Sequence, residues 1–190
     1  MPILGIIASS TLAAAGDFES IATVTVGSGG AASVTFSSIP STYTHLQIRV
    51  FAQTNRATYG RDAVKLNVNS DTGNNYSWHE VFGDGSGAYV NASSTTNRGE
   101  VAEVGTGVGS TFGGAVIDLL DYANTNKYKT IRSLFGGDHN GTIAGFGGTV
   151  GLYSALWQST SGITSISLAP VNGSQFNQYS HFALYGCKSA

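Results

Sequence analysis

The sequence predicts an all-β fold: an antiparallel β-sandwich, jelly-roll-like, with a short N-terminal arm. Three observations predict it. Short runs along the whole chain alternate apolar with polar residues, the pattern of strands buried on one face. Glycine, at 26 of 190 residues, has about twice its usual ~7% share and, with Asn and Ser, punctuates those runs. Nowhere do apolar residues keep helical spacing over a window of about 11 residues.

Taken in order, residues 1–16 (MPILGIIASSTLAAAG) come first. Ile3, Leu4, Ile6 and Ile7 precede a Ser/Thr/Ala/Gly tract, so the segment reads as an arm docking those four side chains on a neighbour; a first core strand is the alternative. A secretory leader needs a basic start, and no Lys or Arg precedes Arg49. Residues 17–190 then form one domain. Ala22, Val24 and Val26 alternate with Thr23 and Thr25, and Gly27-Ser28-Gly29-Gly30 turns the chain into Val34-Thr35-Phe36. Leu46, Ile48 and Val50 face away from His45, Gln47 and Arg49. Val64, Leu66 and Val68 repeat the pattern against Lys65, Asn67 and Asn69. Further strands are expected at 76–82, 101–104, 114–120, 130–135, 150–157, 163–169 and 181–185. Asn172-Gly173 fits a tight hairpin turn, and Pro170 suits an edge strand. Residues 83–99 and 136–151 read as long glycine-rich loops, which on a compact domain tend to be functional.

Composition narrows the function. Charged residues make up 11% of the chain, under half the usual ~25%, while 41% hydrophobic residues suffice for a core. A net charge of −2 gives no electrostatic case for nucleic acid or an anionic membrane. No stretch approaches the roughly 20 apolar residues of a membrane span. Cys187 is the only cysteine, so intrachain disulfides are excluded; it reads as an apolar filler or, alternatively, an intermolecular bridge.

The motif search finds no reaction. Gly27, Gly29 and Ala32 mimic a dinucleotide fingerprint, but a strand pattern follows where a helix is required. Asn67, Asn69 and Asp71 have calcium-loop spacing, yet Thr72 and Trp78 stand where glycine and glutamate are needed, so a turn is the expected reading. His45, His79, His139 and His181 share no metal-ligand spacing. His79 and Glu80 are adjacent on a strand and point to opposite faces. Asp84, Glu100, Glu103, Asp118, Asp121 and Asp138 could supply a catalytic carboxylate pair, but nothing singles out two of them. The expectation is a non-enzyme without metal or cofactor. Trp78, Tyr89, Phe146 and Trp157 are candidate glycan contacts; the competing reading is that such aromatics fill the core or a subunit interface.

Several blocks, in order along nearly the whole chain, carry a resemblance: MPILGIIASS, DFESIATVTVGSGGAASVTFSSIPSTYTHLQIRV, NVNSDTGNNYSWH, VIDLLDYANTNKYKTIRSLFGG, LYSALWQSTSGITSISLAP and SHFALYGCK. Together they resemble small virion structural proteins of tailed bacteriophages, of the tail-fibre, minor-tail or capsid-decoration type. Such chains close with an isoleucine after Leu-Tyr-Gly; Cys187 stands there instead. The resemblance implies a β-sandwich displayed on the virion surface as a symmetric oligomer. A homotrimer is expected, bound to itself and, through Ile3, Leu4, Ile6 and Ile7, to the major capsid protein or tail proteins. The alternative is a lectin-like tail module that binds host-surface glycans.

Overall fold

The structure, a computed structural model, describes residues 17–143 and 146–188, with side chains throughout except at 140–143 and 146. Ile3, Leu4, Ile6 and Ile7 of the expected arm lie outside the described residues. Within them the fold is all-β, with twelve strands and no helix. These are β1 (Phe18–Thr25), β2 (Val34–Phe36), β3 (His45–Thr54), β4 (Arg61–Val68), β5 (Tyr76–Gly83) and β6 (Ala88–Thr96). They continue as β7 (Gly99–Thr106), β8 (Gly113–Leu120), β9 (Lys129–Ile143), β10 (Phe146–Trp157), β11 (Ile166–Pro170) and β12 (His181–Cys187).

Eight strands form a large antiparallel layer in the order β1-β12-β3-β8-β9-β10-β5-β6, and four form a smaller one, β2-β11-β4-β7. The layers join where the end of β3 pairs in parallel with β7, Gln53 to Gly105 and Thr54 to Thr106. β7 lies against the inner faces of β8, β9 and β10, so the fold is a sandwich with β7 inside. Every residue of β7 is buried, which explains its Gly-Glu-Val-Ala-Glu-Val-Gly-Thr sequence: neither face meets water, and alternation disappears. Gly105 is required by close approach, because a Cβ there would lie 1.9 Å from the Thr111 carbonyl oxygen.

Alternation elsewhere fixes which face is inside. Leu46, Ile48 and Val50 of β3, Ile117 and Leu119 of β8, and Ile131 and Phe135 of β9 point inward. They meet Val64, Leu66 and Val68 of β4 and Ile166 and Leu168 of β11 in one continuous core.

Every strand expected from the sequence is present, and four local readings change. Residues 27–30 do turn, with Gly29 and Gly30 at positive φ. The turn is not a hairpin, however: β1 pairs with β12 and β2 with β11, so it carries the chain between layers. Asn172 and Gly173 likewise form no hairpin; their backbone N–H groups bind the buried Asp62 carboxylate while the chain crosses from β11 to β12. Pro170 pairs with Val64 at the end of β11, beyond the span covered by β2, where its missing N–H costs no ladder bond. The stretches 83–99 and 136–151 are mostly strand. β6 occupies the first, entered by a turn in which Asp84 accepts bonds from the Ser86 and Gly87 amides. The long β9–β10 hairpin occupies the second. Glycine suggested loops there, but in these strands it faces outward or permits close packing.

Candidate assembly face

Cross-strand register assembles the outer face of the large layer into rows. One row runs Arg49, Val116, Leu134, Leu152, Val81, Val90 across β3, β8, β9, β10, β5 and β6. Its five aliphatic residues are between 36% and 78% exposed. A second row, Phe51, Gly114, Gly136, Val150, Gly83, Ala88, is also apolar. A third, Gln47, Asp118, Arg132, Ser154, His79, Ala92, supplies the polar border. Together β5, β6, β8, β9 and β10 shape a groove of about 940 Å³ on this face. The apolar surface continues toward β1, where Phe18 stacks on Tyr185 at 4.7 Å and Arg49 lies over both rings.

Beneath β5 and β10, on the inner face, sits a cluster of ionisable groups. Arg61 of β4 lies 3.4 Å from the Glu103 carboxylate, 3.8 Å from Glu80 and 4.1 Å from the centre of the Phe82 ring. Asn91 donates to Glu80 at 2.9 Å, and the Tyr153 hydroxyl donates to Glu103 at 3.3 Å. Burial pushes the Glu103 carboxyl up to about 8; Glu80 and Asp62 push in the same direction and Arg61 opposes them. Burial also raises the Tyr153 hydroxyl and the neighbouring Glu100. Desolvation of a charge that is only partly compensated is the physical cause.

Other polar residues named from the sequence have structural partners. The Asp71 carboxylate accepts from Trp157 Nε1 at 2.7 Å, from Asn75, and from the Gly73 amide; the Trp157 bond is the largest reason its acidity is strengthened. Asn67 donates to the Asp71 and Asn97 carbonyls, and Asn69 ties the turn to residues 162–165. The expected turn is therefore present. His79 and Glu80 do point to opposite faces, His79 to the polar border and Glu80 into the cluster. His139 is buried between Thr111 and the Gly60 carbonyl.

The candidate glycan contacts separate. Trp157 is 3% exposed, so its ring belongs to the core and offers no face to a sugar. Trp78 is partly buried, edge-on to Tyr153 at 5.9 Å. Tyr89 is exposed and stacks on Phe82 at 5.0 Å. The side chain of Phe146 lies outside the described residues. Trp157 therefore shares no exposed surface with Trp78 and Tyr89.

Sequence reasoning missed the outward Val81, Val90, Val116, Leu134 and Leu152. The signal was present in GGAVIDLL, SLFGG and VGLYSALW, where apolar residues occupy both alternating positions, the mark of strands covered on both faces. Glu80 and Arg61, far apart in sequence, had no local signal.

Set against protein-family models, curated proteins and solved structures, the chain matches none.

Proposed function

We propose that this chain is a structural module that associates with copies of itself through the outer face of its large layer. The observation that carries the reading is the row Val116, Leu134, Leu152, Val81, Val90: five aliphatic side chains in register, held toward water by a rigid sheet. Contiguous apolar surface of this kind marks an interaction site. The scarcity of charge, 11% of residues, adds support, because few like charges oppose self-association. The sequence resemblance extends the proposal to a virion part of a tailed bacteriophage, of decoration or fibre type, with residues 1–16 engaging a capsid or tail partner.

Two experiments test it. Substituting Leu134→Asp and Leu152→Asp together should leave the fold intact and reduce the associated mass. Deleting residues 1–16 should leave the β-domain folded and abolish incorporation into particles, followed by mass spectrometry of purified particles.

A second reading, glycan binding, is favoured by one specific observation. Phe51 is exposed and stacks on Phe112 at 5.1 Å beside a hollow of about 740 Å³ lined by Gly83, Gly114, Gly136 and Asp138. An exposed aromatic face offers a stacking surface, and a carboxylate accepts hydrogen bonds from hydroxyl groups. A glycan array on the full chain and on Phe51→Ala tests this reading: binding lost in the variant supports it, and no binding by either sinks it.

A further inference from the structure

We infer that β6 is an assembly edge, pairing antiparallel with β6 of a second copy about a two-fold axis. The inference rests on the self-association proposed above but concerns a different surface. Open strand edges expose unpaired N–H and C=O groups, and proteins normally protect them by charge, brevity or bulges. The three terminal strands of this sandwich differ sharply in that protection. β2 has three residues. β1 follows Asp17, contains Glu19 and is bulged between Ser20 and Ala22. β6 has nine residues, AYVNASSTT, with no charge and no proline. Its register with β5 is unbroken from Ala88 to Ser93, and its bulge lies only beyond that stretch, between Ser93 and Thr96. Among the described residues, no hydrogen bond from elsewhere reaches the outer backbone groups of 88–93. Val90, its third residue, is 78% exposed.

The occupant follows from these properties. A neutral strand neither repels its own copy nor selects a charged partner. Pairing β6 with β6 is isologous and closes as a dimer, whereas pairing β6 with β1 of the next copy is head-to-tail and would meet the β1 bulge between Ser20 and Ala22. An axis normal to the sheet keeps Val90 of both copies on the outer face. The apolar rows of the two copies then run into one another, and two eight-stranded layers become one continuous sheet.

The test uses the full chain. Light scattering and backbone amide exchange are measured on the wild type, on Tyr89→Lys with Ser93→Lys, and on Leu134→Asp with Leu152→Asp. An even-numbered assembly is expected, with slowed exchange in 88–93. The lysine pair, on the face of β6 opposite Val90, should weaken association at least tenfold and release that protection, while amides of β3 stay protected and report an intact fold. The aspartate pair should leave the 88–93 protection in place. A monomer, an odd-numbered assembly, or lysine variants of unchanged mass overturns the inference. If only the aspartate pair dissociates the assembly, the face reading stands and the edge falls; if only the lysine pair does, the reverse holds.

Discussion

Replacing Glu103 with Gln should flatten the dependence of stability on pH. Glu103 is buried, and its carboxyl titrates at about 8 in the fold against an ordinary value of 4.5. Below about pH 4.5 the carboxyl is protonated in both folded and unfolded chains, and no penalty exists. Above it the unfolded chain ionises freely while the fold holds the proton, so stability falls as pH rises through the window from 4.5 to about 8. The gap between those values corresponds to at most about 5 kcal/mol, at about 1.4 kcal/mol per tenfold change. Glutamine keeps an acceptor for the Tyr153 hydroxyl and cannot ionise. Urea denaturation at fixed protein concentration, from pH 5 to pH 8.5, is the assay. The variant should match the wild type near pH 5 and exceed it by several kcal/mol at pH 8.5. Parallel profiles for the two proteins, or a wild type whose stability is unchanged across the window, would refute the reasoning.

Three further outcomes follow from packing. Gly105→Ala sets a Cβ 1.9 Å from the Thr111 carbonyl and should cost about 3 kcal/mol or more, read as a lowered urea midpoint. Trp157→Phe keeps a ring in the core but removes the 2.7 Å bond to Asp71; the expected loss is about 1–3 kcal/mol, with a rise in the Asp71 titration followed by NMR. Lys129 donates to the carbonyls of Asn124, Lys127 and Thr160, so Lys129→Met leaves three acceptors without it and should lower the thermal midpoint by several degrees.

Period-two alternation carries most of the fold. The runs around Leu46–Ile48–Val50 and Val64–Leu66–Val68 fall on strands with those residues inside. Alternation fails where a strand is covered on both faces or on neither. β7 is buried throughout, and β6 is almost wholly exposed; its AYVNASSTT sequence therefore looks like a loop. Glycine misled for a related reason: Gly114 and Gly136 are cross-strand neighbours and Gly83 lies beyond Val150 in the same row, an arrangement visible only once strand order is known. Pairing of layers was likewise hidden, since local turn chemistry at Gly29-Gly30 and Asn172-Gly173 does not say which strand the chain joins next. The candidate face was the least legible part, because its residues come from five strands that only register brings together. Glu80, Glu103 and Arg61 met for the same reason.

The central claim is that the row Val116, Leu134, Leu152, Val81, Val90 is buried between copies. Light scattering of the full chain beside the Leu134→Asp and Leu152→Asp double variant, with circular dichroism to confirm an unchanged fold, tests it most directly. The account predicts an oligomer for the wild type and a smaller species for the variant; a monomeric wild type, or equal masses for both, would contradict it.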